Sequence, residues 1–288
     1  MISGVKTAVF PVGGMGTRFL PATKASPKEM LPIVDKPIIQ YVVEEAIEAG
    51  VEQLIFVTSQ TKRAIEDYFD TNYELESRLE MVGKLEVLSR VRQIVPEGVN
   101  FVYVRQPAPL GLGDAVLRAK HVVGGQPFAV LLADDIIDSP SQSCLSQMVD
   151  VFNNTGSSVV AVEQVAPEDT DKYGIVSLGD NYAMNAIVEK PAPEKAPTHL
   201  GVAGRYIFTP EIFDYLESTS AGAAGELQLT DAISAMLSAH NVYAHPFIGT
   251  RYDCGSRLGM VKATMNYACK DEALRPALQA FMSELCHR

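Results

Sequence analysis

The chain has 288 residues, 47% of them hydrophobic, and a net charge of -11. That apolar content suffices for a large α/β core and excludes a disordered chain, while the acidic balance argues against a nucleic-acid partner, since phosphate backbones are bound by basic faces. The longest apolar runs, such as Phe128 to Ala133, are too short to span a bilayer, and no signal segment opens the chain, so the expectation is a cytoplasmic protein with no membrane partner.

Thr7 to Val12 reads as a buried strand running into a glycine-rich turn, and α/β folds place ligands at the carboxyl ends of strands. Asp35 and Pro37 announce a helix whose Ile38, Ile39, Val42, Val43, Ala46 and Ile47 form one apolar stripe, ended by Gly50. Leu54 to Thr58 is the second strand. A helix near Lys62 to Phe69, a strand from Phe101 to Val104, a helix from Asp114 to Val122 and a strand from Phe128 to Ala133 continue the alternation. The pattern predicts an α/β fold with a Rossmann-like, mostly parallel mixed sheet flanked by helices.

Beyond Asp171 the pattern changes to short strands, Gly174 to Leu178, Ala186 to Glu189 and Val202 to Phe208, interrupted by Pro191, Pro193 and Pro197. Helices from Leu227 to His240, Arg257 to Lys270 and Asp271 to His287 finish the chain, with a strand from Val242 to Phe247 before the second. The last helix carries Leu274, Leu278, Phe281, Met282 and Leu285, suited to packing or to subunit contacts. No repeat or linker divides the chain, so residues 1–288 read as one domain. Cys144, Cys254, Cys269 and Cys286 form no CxxC pair and have no histidine at ligand spacing, which suggests ordinary thiols.

The turn Gly13-Gly14-Met15-Gly16-Thr17-Arg18 offers glycines whose backbone can approach a triphosphate and a guanidinium that can hold one. Glycine turns after strands are also common for steric reasons, so the wider spacing matters. A dinucleotide fingerprint fails, because Phe19 stands where its last glycine belongs, and no GxxxxGK[ST] loop occurs. The chain continues instead through Pro21, Thr23, Lys24, Pro27, Lys28 and Pro32, a stiffened loop that can return ammonium groups to the same phosphates.

The stretch GGMGTRFLPATKASPKEMLP resembles the N-terminal signature of the sugar-nucleotide pyrophosphorylases, a GxGTR turn followed by a proline-rich segment ending in PK. The segments around Gly111, Asp134, Glu189, Thr230 and Asp253 are similar to the family as well, so the resemblance covers nearly the whole chain. It implies a GT-A-like nucleotidyltransferase fold with residues 1–170 mainly binding nucleotide, 171–250 elaborated to bind sugar phosphate, and C-terminal helices over 251–288. It also implies homo-oligomers, dimer or tetramer.

The resemblance distributes roles. Arg18 and Lys28 become the catalytic cations, and Gly13, Gly14, Gly16, Thr17, Gln106 and Gly111 the nucleotide-binding set. Gly174, Glu189, Lys190, Gly204 and Thr230 correspond to the sugar-phosphate pocket. Asp134, at the end of a buried strand where a lone charge needs a cation, corresponds to the family's Mg2+ ligand, with Asp253 near the same metal. Taken singly, Asp134 also fits a turn aspartate, and Glu189-Lys190 a solvated surface pair. Gln106 can read a pyrimidine edge by donating one hydrogen bond and accepting another. Relatives often read GLGHA where this chain has Asp114, for which a helix N-cap is the expected job.

The implied reaction is attack by glucose 1-phosphate on the α-phosphorus of UTP, giving UDP-glucose and pyrophosphate, with Mg2+ assisting. The nucleophile is already anionic, so positioning and charge neutralisation carry the catalysis. A dTTP-using thymidylyltransferase and a non-catalytic regulator that binds sugar nucleotide are the rival readings. Retention of Lys28, Asp134 and Lys190 favours catalysis over the second.

Overall fold

Apolar strand runs alternate with amphipathic helical runs from Thr7 onward, and in the computed structural model, which describes residues 4–222 and 225–286, they assemble one nine-stranded sheet between layers of helices. The strands are β1 (Thr7–Pro11), β2 (Pro32–Ile33), β3 (Lys36–Pro37), β4 (Gln53–Thr58), β5 (Asn100–Arg105), β6 (Phe128–Leu131), β7 (Asp135–Asp138), β8 (Ser158–Gln164), β9 (Gly174–Leu178), β10 (Met184–Glu189), β11 (Leu200–Phe208), β12 (Val242–Pro246) and β13 (Thr250–Asp253). The helices are α1 (Ile38–Glu48), α2 (Arg63–Phe69), α3 (Tyr73–Met81), α4 (Leu85–Arg92), α5 (Leu112–Arg118), α6 (Lys120–Val123), α7 (Cys144–Thr155), α8 (Ile212–Ser218), α9 (Leu229–Met236), α10 (Arg257–Lys270) and α11 (Arg275–Cys286).

The order β10-β9-β11-β6-β1-β4-β5 divides the sheet into two halves. β6, β1, β4 and β5 are parallel, with Val9 beside both Ile55 and Val130. β11 runs antiparallel to β6, β8 and β9, and β12 joins β8. β11 also changes partners along its length: Leu200 and Gly201 pair with β9, Arg205 to Phe208 with β6. Gly204 sits at the break, at φ 66. Glycine takes that left-handed conformation without strain, and a Cβ here would collide with the carboxylate of Asp135.

The parallel strands are covered on both sides, which is why they read as continuous apolar runs. Ala8, Phe10, Leu54 and Phe56 face α1 and α7; Val9, Ile55 and Val57 face α5, α8 and α9. Each large side chain buried this way contributes about 1.5–3 kcal/mol. A ribbon of β7 and β13 leaves the main sheet, and α10 packs on it and on β2 through a cluster of Ile33, Ile136, Cys254 and Ala263. Among the described residues no helix is long and apolar enough to cross a membrane.

Several boundaries differ from the sequence expectation. The helix expected from Asp114 starts at Leu112 and divides into α5 and α6. The helix expected from Leu227 to His240 covers only Leu229–Met236. The last helix begins at Arg275 because the Asp271 side chain accepts from Ala273 and Leu274 N–H at 2.8 and 3.0 Å, forming a turn after α10; its expected end at His287 lies outside the described residues. The sequence reading has no counterpart for α3 and α4, where Tyr73, Met81 and Leu85 face solvent and Leu88 is the one buried side chain, too little to mark an apolar face.

Candidate active site

The parallel strands end on a crevice of about 1070 Å³. Arg18, Asp134, Gly174, Glu189, Lys190, Gly204, Thr230 and Asp253 line it.

Its centre is built where β6 ends. The turn after Leu131 carries Asp134, whose backbone carbonyl accepts from Cys254 N–H at 2.8 Å, and the β7–β13 ladder pairs Asp253 with Asp135. The carboxylates of Asp134 and Asp253 therefore both face Gly255. A Cβ on that glycine would lie 2.8 Å from Asp134 Oδ2, 2.9 Å from Asp253 Oδ1 and 3.5 Å from Arg18 Nη1. The missing side chain keeps open the point on which three charged groups converge.

Lys28 reaches the same place, its Nζ donating to Asp134 Oδ2 at 2.5 Å. The glycine loop is folded back against it: a Cβ on Gly16, which has φ 65, would stand 3.2 Å from Lys28 Cβ, and Thr23 Oγ1 donates to Gly16 carbonyl at 2.7 Å. Next to Lys28, Glu29 forms a buried ion pair with Lys62 at 2.7 Å, which anchors the segment. Burial opposes the Lys28 charge, but Asp134 and Glu29 outweigh it and hold the ammonium above its ordinary range. Burial likewise works against the Asp134 carboxylate, yet the charge and hydrogen bond of Lys28 hold it below the usual carboxylate range.

Asp135 contrasts with its neighbour. Burial pushes its carboxyl up to about 7, with Arg251 opposing the shift and Asp134 adding to it. Arg251 bonds Asp135 at 2.6 Å and Glu163 at 2.8 Å and lies 5.1 Å above the Tyr173 ring. Sequence reasoning missed this arginine, because its partners stand 116 and 88 residues away and no local motif marks it.

The carboxylates of Asp134 and Asp253 offer hard oxygen donors, and among the described residues no group of three or more His, Cys, Asp or Glu forms a metal cage. That set fits a divalent cation of the Mg2+ kind, which binds through one or two carboxylates and completes its shell with water and substrate phosphate.

On the antiparallel side, Thr230 Oγ1 donates to Glu189 Oε2 at 3.0 Å, and the Thr230 methyl would touch a Cβ on Gly174 at 2.9 Å. Lys190 pairs with the other Glu189 oxygen at 2.8 Å and holds φ 44, a conformation that side chains rarely adopt. Gly174, Glu189, Lys190 and Thr230 thus form one group, and Gly204 lies behind it against Asp135.

The remaining predicted residues stand apart from the crevice lining. Gly14 and Thr17 are exposed in the loop after β1. Gly13, Gln106 and Gly111 cluster at the ends of β1 and β5, and Gly111, at φ 98, packs so closely on Leu227 that a Cβ would lie 2.6 Å from its carbonyl oxygen. Two expectations need correction. Asp114 is no N-cap: Gly111 occupies that position, and Asp114 is buried in the first turn of α5, bound to Gln106 at 2.8 Å and Arg118 at 2.9 Å. Gln106 does not offer both a donor and an acceptor, since its Nε2 is committed to Asp114 and, at 3.1 Å, to Gly111 carbonyl.

The family model described as "Nucleotidyl transferase" matches residues 7–270. The chain belongs to the nucleotidyl transferase family. A nucleotidyl transferase of Staphylococcus epidermidis, named UTP–glucose-1-phosphate uridylyltransferase, is 50% identical over 285 residues, covering 98% of each chain. The UTP-bound UGPase of Acinetobacter baumannii superposes with a TM-score of 0.90 at 46% identity, over 98% of this chain and 99% of that one. A UDP-glucose pyrophosphorylase solved with UDP-glucose gives 0.85 at 45% identity, over 93% and 100%. The fold expected from the sequence, a mixed and mostly parallel sheet flanked by helices, is that of these nucleotidyl transferases.

Proposed function

We propose that this chain transfers a uridylyl group from UTP to glucose 1-phosphate, forming UDP-glucose and releasing pyrophosphate. The relatives named for this activity at about half identity over nearly the full length support the assignment. The observation that carries it is the convergence of Lys28, Arg18, Asp134 and Asp253 around Gly255 at the carboxyl end of the parallel strands.

A sugar-phosphate oxygen attacks the α-phosphorus of UTP in line with departing pyrophosphate. It is already anionic, and no general base is called for. The residues supply position and countercharge, the main sources of acceleration in such transfers. Lys28, kept protonated by its acidic neighbours, and Arg18 neutralise the triphosphate and the leaving pyrophosphate. Lys190 meets the sugar phosphate and Glu189, oriented by Thr230, accepts from sugar hydroxyls. Asp134 and Asp253 would hold Mg2+, which when bound supplies Lewis-acid polarisation of phosphate oxygens. Gly13, Gly14, Gly16 and Thr17 bring backbone N–H groups to the triphosphate, while Gln106 and Gly111 receive the base.

This reading assigns residues 1–170 mainly to the nucleotide, 171–250 to the sugar phosphate and 251–288 to a helical end that also lends Asp253. The exposed Val261, Met265, Phe281 and Leu285 support assembly into a homo-oligomer, dimer or tetramer, which light scattering would test; we place the protein in the cytoplasm.

The decisive experiment incubates purified protein with glucose 1-phosphate and UTP, dTTP, ATP or CTP in turn, with and without Mg2+, and measures pyrophosphate. Turnover fastest with UTP and dependent on Mg2+ is expected. No release from UTP, or equal rates after chelation, would overturn the reading.

A further inference from the structure

We propose that Asp114 is a positioning residue for base recognition: it fixes which way round the Gln106 amide lies, so that the site presents a lone acceptor and selects a base with an imide N–H. The inference rests on the uridylyl-transfer reading and deepens it by assigning how the pyrimidine is chosen.

A glutamine amide has nearly the same shape in its two orientations, so its neighbours must decide between them. Here they do. Arg118 Nη2 lies 2.9 Å from Asp114 Oδ1, an ion pair that leaves the carboxylate able only to accept. Asp114 Oδ2 takes one amide hydrogen of Gln106 at 2.8 Å, and Gly111 carbonyl takes the other at 3.1 Å. Turning the amide over would set its oxygen against two acceptors at once. Gln106 is 8% exposed and Asp114 6%, and an unpaired polar contact is most costly where water is absent.

Oε1 must therefore point the other way, toward Gly13, where a Cβ would lie 2.9 Å from it. Glycine leaves that oxygen uncovered. Nε2 is committed to Asp114 and Gly111 and the backbone N–H to Thr58 carbonyl at 2.8 Å, so Oε1 is the polar atom that Gln106 has left to offer a ligand from its side chain. Uracil carries a hydrogen on N3; cytosine has a lone pair there. An oxygen in this place accepts from the first and repels the second. Thymine shares uracil's edge, so the contact sorts uridine from cytidine nucleotides and leaves UTP and dTTP to be separated elsewhere.

Arg118 makes the idea testable. In Asp114→Asn, Arg118 Nη2, which approaches Oδ1 at 2.9 Å while Nε stands 3.4 Å from Oδ2, claims the single oxygen and turns Nδ2 toward Gln106, so that one of the two acceptors holding the amide becomes a donor and the lock is lost. In Asp114→Asn/Arg118→Leu, nothing competes for that oxygen and it can face Gln106 again. The measurement is the ratio of kcat/KM for UTP to that for CTP with glucose 1-phosphate, which does not depend on the fraction of enzyme folded. The ratio should fall about 10- to 100-fold in the single variant and recover in the double. An unchanged ratio in Asp114→Asn, or no recovery in the double variant, overturns the proposal, since a merely structural role predicts the double to be worse. If the wild-type protein releases no pyrophosphate from UTP, the uridylyl-transfer reading fails instead, and the relative binding of UTP and CTP by calorimetry still reports the amide lock.

Discussion

The parallel and antiparallel halves of the sheet present their predicted site residues in different ways. On the parallel side the groups come from turns just past strand ends: Gly13 after β1, Gln106 after β5, Asp134 after β6. On the antiparallel side they sit in or against strands: Gly174 opens β9, Glu189 closes β10 and Gly204 breaks β11. Loop groups are set by local chain geometry, whereas strand groups depend on which strands pair. The parallel side is therefore built locally and the antiparallel side by long-range register.

The two halves are fastened by Arg205 of β11 and Glu45 of α1. Arg205 is fully buried, bonds Glu45 at 2.7 Å, and donates to the carbonyls of Leu132, Gly204 and Asp135 around the turn that presents Asp134. If this junction holds the halves together, Glu45→Gln should be the most destabilising of the changes considered, by about 3–5 kcal/mol, because it leaves a buried guanidinium uncompensated. Urea denaturation reads this directly. A midpoint close to the wild type would mean that the halves hold together without the pair.

Lys28→Ala tests the parallel half alone. It should lower turnover by about 10²–10³-fold while leaving the fold intact, since a partly exposed pair contributes little to stability. Asp134→Asn should abolish the Mg2+ dependence of whatever turnover remains. Near-normal pyrophosphate release by Lys28→Ala would remove the ammonium from the mechanism, and an unchanged metal response in the second variant would remove the carboxylate.

The difference between the halves also explains how much could be read from sequence. The βα alternation, the glycine turn and the strand-end carboxylate are local patterns, and the parallel half emerged from them. The proline-rich segment suggested a stiffened loop that returns ammonium groups to the phosphates of the glycine turn; in the structure Gly16 packs on Lys28. The Glu189-Lys190 pair was distinguishable from surface charge only by resemblance, because its partner Thr230 is 41 residues away from Glu189. Arg251 and Arg205 stayed invisible for the same reason, their partners being distant in the chain. Asp114 was misread since an acidic residue near a helix start fits a cap as well as it fits a buried lock, and only the position of Gln106 decides between them.

Thr230→Val tests the antiparallel half. The change keeps the shape that packs against Gly174 and deletes the hydroxyl that donates to Glu189. KM for glucose 1-phosphate should rise about 2- to 10-fold, the range of one hydrogen bond, with KM for UTP unaffected. Equal changes in both constants would show that the two halves do not bind their substrates separately.

The smallest expected effect lies at the far edge of the same half, on β12. His245 sits opposite Ala161 of β8, with Nε2 3.3 Å from Gln147 Oε1, and burial holds its imidazole below the ordinary value of 6.5. The unfolded chain takes up a proton at this residue near the ordinary pH, while the folded chain does so only at lower pH. The unfolded state therefore binds more protons in that window, so the contribution is present above the unfolded value and lost as pH falls through the folded one. His245→Gln cannot take up that proton. Denaturation midpoints at about pH 7.5 and about pH 5.5 should show the wild type losing more stability on acidification than the variant. Equal losses would mean that His245 protonates as readily in the folded edge as in the unfolded chain, and that β12 does not shield its imidazole from water.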